Sequence, residues 1–418
     1  MFKIDWVRYA ALLWGLAVFM PVGANYLGFF MLVACMLLQH GLRERLARLR
    51  HHAIWWPAVA FVIWTLVVLV LMPTYPETPS NLLHAFRIVA TVALALALTR
   101  EEAVWALRGF VIAGAVSLLL VGASQLVAFP EAAIWSSLLH HSGNKSISNA
   151  VLFALLASSL VVIALDRGGW IRACSVPLAI ALLSVAVWVL PSRTSVLIFL
   201  FVLGAACVHQ WRSHWLALVV ALVVATLGAG AVVTGVPKVQ QRLAQGITEI
   251  QSARAGKVSQ ESWGVRVNMY RHTLDMLAER PLTGWGIGAW TQQWKQRVPP
   301  VLREFNMPHN DFLWMGAQAG VLGASTLLIL VLTGVRISWK RRDLTGRLGM
   351  VAMLTLLLAA SINSAMRDAA IGLSLIWVAG LYLRMVSEPQ DAVALLHRAA
   401  PGEHHANGFQ QNHPVHPQ

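Results

Sequence analysis

Apolar runs of membrane-crossing length recur along the chain, separated by short polar connections. A helical span needs about 20 such residues, and reading for them gives about twelve candidates. They fall near 6–22, 25–40, 53–72, 82–99, 103–127, 149–165, 173–190, 195–210, 215–235, 312–335, 348–365 and 369–386. One long hydrophilic segment, 236–311, interrupts the series between the ninth and tenth spans. Val239, Leu243, Ile247 and Ile250 recur within it at helical spacing, as do Val267, Tyr270, Leu274 and Leu277. The pattern predicts two amphipathic helices lying with their apolar stripes on the membrane face. Pro281 to Gly288, with three glycines, then reads as a turn, and Pro299-Pro300 as a further loop. The expected fold class is an all-α polytopic membrane protein. It forms one transmembrane domain over 1–388, followed by a Pro-, His- and Gln-rich tail, 389–418, expected to be disordered.

Composition agrees with the pattern. The chain is 57% hydrophobic and 12% charged, against about 25% charged in soluble domains. Its net charge of +14 has a topological cause more readily than a nucleic-acid one. Arg43, Arg45, Arg48 and Arg50 follow the second span, Arg167 and Arg172 the sixth, and Arg336 to Arg347 the tenth. In a twelve-span chain these loops share one side, which makes that side and both termini cytoplasmic and the long segment extracytoplasmic. Cys35, Cys174 and Cys207 all lie in apolar runs, without disulfide or zinc spacing.

The candidate chemistry lies on the outer side. His309 sits in Met307-Pro-His-Asn-Asp311, at the mouth of the tenth span, where an imidazole is expected to titrate near neutral pH. Arg193 occupies the tight connection Pro191-Ser-Arg-Thr194, and Arg266 opens the second loop helix. Taken singly, each has a plain reading as a snorkelling arginine, a solvated helix charge or a structural histidine. Together they supply two planar cations matched to phosphate oxygens and one neutral base, with no Asp-rich metal motif beside them. That set suits transfer of a group from a pyrophosphate leaving group to a hydroxyl, without metal or other cofactor. Arg271, Arg87 and Lys145 are further candidates for lining the substrate groove. Asn310 and Asp311 are expected to cap the tenth span, and Gly316-x-x-x-Gly320 to let a neighbouring helix approach. Arg367 and Asp368, in the last outer turn, read as a pair.

Ser-Arg-Thr of 192–194, Arg266 followed by Pro281 to Gly288, and Pro308-His309-Asn310 leading to Gly316 and Gly320 together resemble the O-antigen ligase family. That family shares a domain with O-antigen polymerases and bacterial O-oligosaccharyltransferases. The resemblance implies an inverting, metal-independent membrane glycosyltransferase of GT-C-like architecture in the bacterial inner membrane. It would move O-antigen from undecaprenyl pyrophosphate to lipid A-core in lipopolysaccharide biosynthesis, at the periplasmic face. Arg193 and Arg266 would hold the pyrophosphate, and His309 would activate the acceptor hydroxyl; Asn310 joins Arg271 and Arg87 as a further substrate-binding candidate read from its position. Asp311 departs from the pattern, where an uncharged residue is expected. Protein-glycosylating relatives tend to be longer, which favours the ligase over them; the polymerase is the nearest alternative. A polysaccharide lipid transporter or flippase is the alternative of another class, and calls for broken helices with mid-membrane charges.

Overall fold

The computed structural model describes residues 5–388, apart from 40, 133–134, 136–137, 140–143, 191, 217, 221–222, 224–226, 228–236 and 255–261. Its regular structure is helical throughout these residues. In chain order the helices before the hydrophilic segment are α1 (Trp6–Ala17), α2 (Val22–Leu38), α3 (Leu42–His51), α4 (Trp55–Leu71), α5 (Thr78–Ala97), α6 (Arg100–Ala123), α7 (Asn144–Asp166), α8 (Gly169–Trp188) and α9 (Arg193–Trp211). Within the segment lie α10 (Pro237–Arg254), α11 (Ser262–Glu279) and α12 (Trp290–Arg297). After it come α13 (Asp311–Lys340), α14 (Leu344–Asn363) and α15 (Ala369–Val386). Each apolar run therefore coincides with a helix, except 215–235, which lies largely outside the described residues, as does the tail 389–418. Among the described residues seven helices are long and apolar enough to cross a membrane, or eight if α2 and α3 form one bent span. α4 is a shorter apolar helix of 17 residues.

α15 is the axis of the bundle: Ile371 to Leu383 are buried nearly without interruption, and Trp377 stacks on Trp14 of α1 at 3.9 Å. α7 is likewise enclosed, with 83% of its apolar stretch buried. A helix apolar on every side belongs in the interior, and both carry that composition.

The basic loops gather at one end. The Arg45 fork binds Glu102 at 2.6 and 2.7 Å, and Thr99 and Glu102 form the capping box that starts α6. Arg48 donates to the Ala97 carbonyl, Arg384 to Leu98, Arg341 to Val386, and Arg347 to Asp166. Arg48, Arg384 and Arg341 thus satisfy the buried carbonyl ends of α5 and α15, where the helix dipole is negative, and Arg347 meets the carboxylate that ends α7.

α13 is broken, and the break organises the opposite end. Ala319 and Gly320 leave helical geometry, Gly320 with φ +70 and ψ −173, a region open essentially to glycine alone. A break strands carbonyls and N–H groups that a buried helix must satisfy elsewhere. The turn 281–288 supplies the partners. Trp285 N–H donates to Ala317 O at 2.8 Å and Gly286 N–H to Gln318 O at 3.0 Å, while Val321 N–H reaches Pro281 O at 2.7 Å. Trp64 of α4 donates its indole N–H to Ala319 O at 2.7 Å. Gly284, Gly286 and Gly288 all have positive φ, which lets the turn lie backbone-to-backbone against α13. The close approach at Gly320 is thus made by this turn, where a neighbouring helix had been expected.

α11 departs from its expected stripe. Val265, Met269, Thr273 and Met276 are the buried positions, whereas Leu274 is 51% exposed. The face it buries carries Met269 and Met276 together with Thr273, which accepts the indole N–H of buried Trp290 at 2.9 Å.

Candidate functional site

α13 begins where α14 ends, and the junction is built from the sequence around His309. Asn310 caps α13, its side-chain oxygen accepting Leu313 N–H at 2.9 Å. Its amide nitrogen donates to Ser361 O at 2.9 Å, tying the cap to the C-terminus of α14. Asp311 does not share the capping. Fully buried, it accepts the backbone N–H groups of Met366 and Arg367 at 2.7 and 3.1 Å, so its carboxylate shapes the turn between α14 and α15.

His309 itself adopts φ +54, a left-handed conformation uncommon outside glycine. The Tyr270 hydroxyl of α11 lies 3.3 Å from both the His309 and Ser361 carbonyl oxygens and holds this conformation. Burial first, then the charges of Arg266 and Arg367, bring the His309 imidazole down to about 4. The expectation of titration near neutrality is therefore corrected: the ring is partly desolvated between cations and stays neutral at pH 7. Among the described residues no hydrogen bond occupies its ring nitrogens.

Arg266 reaches across to α14, donating to the Asn363 side-chain oxygen at 3.2 Å. Arg367, read from sequence as a partner for Asp368, does feel the charge of Asp368, after those of Glu77 and Asp311, and sets its guanidinium 5.8 Å over the Trp314 ring, on the face of α13 just past His309. Arg87 is enclosed and committed: it donates to the Tyr26 hydroxyl at 3.1 Å and to the carbonyls of Met366 and Arg367 at 3.2 and 2.6 Å. It braces the turn that carries Arg367. Arg271 is exposed, and its charge registers at His272. The side chains of Arg193 and Lys145 lie outside the described residues. The Arg193 backbone opens α9 behind the Ser192 cap, whose hydroxyl accepts Ser195 N–H at 3.3 Å. His209, at the other end of α9, lies 3.0 Å from Trp339 O near the end of α13. α9 thus starts toward the end of the bundle that holds His309.

Polar capacity here exceeds the local partners. Asn363 Nδ2, Ser364 Oγ and Arg367 Nε are buried without hydrogen bonds, and Ser364 too has a left-handed backbone, φ +49. Buried groups left unmatched call for a ligand or water. Among the described residues, no group of three or more His, Cys, Asp and Glu side chains is placed to hold a metal ion. Tyr270, Asn363 and Arg367 escaped the sequence reading: Tyr270 passed as part of an apolar stripe, and the other two gain meaning only from the turn.

Fold and site together define a polytopic, all-helical membrane protein with a histidine flanked by guanidinium groups at one end. Residues 151–328 match the family model described as O-Antigen ligase. The match takes in Arg193, Arg266 and His309, while Arg87 and Arg367 fall outside it. No curated protein matches the chain.

Proposed function

We propose that this chain is an O-antigen ligase, transferring a glycan from a lipid pyrophosphate carrier, undecaprenyl pyrophosphate, to a sugar hydroxyl of lipid A-core. The observation that carries the reading is the clamped His309, neutral, strained and flanked by Arg266 and Arg367 at the end of the bundle opposite the basic loops. Backbone strain persists only where the surroundings impose it, and it concentrates at functional sites. By the positive-inside rule the basic end faces the cytoplasm, which puts His309 at the periplasmic face. The family domain supports a glycosyltransferase acting on lipid-linked glycans.

In this mechanism the imidazole takes the proton of the acceptor hydroxyl as its oxygen attacks the anomeric carbon. The bond from that carbon to the pyrophosphate oxygen breaks with inversion, and the electron pair leaves on the lipid pyrophosphate. Arg266, Arg367 and Arg193 stabilise the charge that develops there, each offering a planar fork to phosphate oxygens. Bound pyrophosphate offsets the two cations that depress His309, which raises its basicity when the donor is in place. A base is most effective with its pKa near the working pH.

The test is transfer by the purified chain with lipid-linked glycan and lipid A-core, in chelator and without nucleotide. Wild type should ligate and His309→Ala should not, with unchanged thermal unfolding. Transfer by His309→Ala removes the histidine from the base role. Growth of lipid-linked oligomers in place of ligation assigns the chain to the polymerases.

A further inference from the structure

An open cavity of about 520 Å³ lies between the start of α5, one face of α12 and the loop that follows it. Its size falls within the ~300–1,000 Å³ usual for ligand sites, and its wall is mostly carbon surface with a few polar and charged heads set into it. Thr291 and Lys295, and Gln292 and Gln296, are spaced i, i+4 on α12, so one helical face presents a hydroxyl, two amides and an ammonium. Glu77 and Arg303 complete the wall. The carboxylate is already engaged: Glu77 accepts the Thr291 hydroxyl at 2.7 Å. Arg303 uses only its Nε locally, on Val298 O at 3.4 Å. That balance leaves two cations and two amides against one carboxylate, a wall of net positive charge.

We propose that this cavity is a subsite for an acidic saccharide, a sugar bearing phosphate or carboxylate. Lys295 and Arg303 take the anionic substituent, and Gln292 and Gln296 bracket ring hydroxyls as donors and acceptors. The cavity communicates with the junction through the chain: Thr291 Oγ1 lies 3.4 Å from Asn306 O, three residues before His309. That the ligand is a saccharide rests on the transferase reading; that it is anionic rests on the cavity alone.

The experiment uses the full chain in nanodiscs of zwitterionic lipid and measures binding of a phosphorylated oligosaccharide and of the same oligosaccharide after phosphatase treatment. The phosphorylated form should bind about tenfold tighter, the effect of one or two charge-assisted hydrogen bonds. The double change Lys295→Gln with Arg303→Gln should abolish that preference, and Lys295→Arg should keep it. Equal affinity for the two forms, or a preference that survives the double change, overturns the proposal. So does a double change that alters only association with phosphatidylglycerol nanodiscs, which assigns the cations to lipid headgroups. Transfer measured on the same samples separates the two readings. Charge-dependent binding without transfer sinks the transferase and keeps the subsite; transfer without charge-dependent binding does the reverse.

Discussion

His309 offers the sharpest test, because its environment fixes where its proton leaves. A free histidine titrates near 6.5, whereas burial, with Arg266 and Arg367 adding to it, holds this one at about 4. The difference corresponds to roughly 3 kcal/mol in favour of the neutral ring. A base must be unprotonated to act, so activity is lost as pH falls through the folded value. The acid limb of kcat/KM, which reports the free enzyme, should lie well below pH 6 and leave the rate flat from about pH 6 to 8. Histidine-selective NMR, with His309→Gln to assign the resonance, gives the same midpoint independently. Arg266→Gln should raise it, though not to 6.5, since burial is the leading cause. The stability consequence has the same sign. Between 6.5 and about 4 the unfolded chain binds a proton that the folded chain refuses, so wild type loses roughly 3 kcal/mol relative to His309→Gln as pH drops across that window. A wild-type titration between 6 and 7 in both assays refutes the desolvated, cation-flanked imidazole.

Three further outcomes follow from neighbouring contacts. Gly320→Ala should destabilise the chain by about 3 kcal/mol or more in thermal unfolding, because a Cβ there meets the Leu282 carbonyl and the backbone conformation excludes side chains; wild-type stability means the break in α13 is absent. Arg266→Lys keeps the charge but loses the fork, and transfer should fall about 10- to 100-fold with folding intact; a full rate makes Arg266 an ordinary surface cation. Asp311→Asn keeps one acceptor for the Met366 and Arg367 N–H groups and should cost about 1–3 kcal/mol together with a drop in transfer; an unchanged variant shows that the turn holds without the carboxylate.

The membrane spans were legible because hydrophobic length alone specifies them. Continuous apolar runs closely framed α4 to α9 and α13 to α15, with ends displaced by a few residues where caps and prolines intervene. The break in α13 was not, although its signals were present. Gly316-x-x-x-Gly320 has the spacing of a helix-packing motif, and a sequence does not say whether a glycine serves close approach or a forbidden dihedral. The second use becomes recognisable only with Pro281 to Gly288, where Gly284 lies against the backbone of 317–319 while Gly286 and Gly288 pack on Pro73 and on the start of α5. Periodicity failed for α11 in a similar way. A pattern reading sends threonine outward, whereas Thr273 lies inward and accepts an indole N–H from another helix.

The arginines show the limit most clearly, since residue type marks a candidate and only partners assign it. Arg87 and Arg367 are both largely buried and lie 280 residues apart, joined where the Arg87 guanidinium meets the Arg367 carbonyl. Arg87 spends its two terminal nitrogens on a hydroxyl and two carbonyls and so works as a brace, with its own Nε unmatched as well. Arg367 rides on the backbone that Arg87 and Asp311 hold in place, keeps Nε unmatched, and carries its charge toward His309. Desolvating two guanidinium groups near an imidazole is unfavourable without counter-charge. Glu77, Asp311 and Asp368 supply that counter-charge to Arg367. On the proposed reaction, a pyrophosphate held by Arg266 and Arg367 would also raise the basicity of His309.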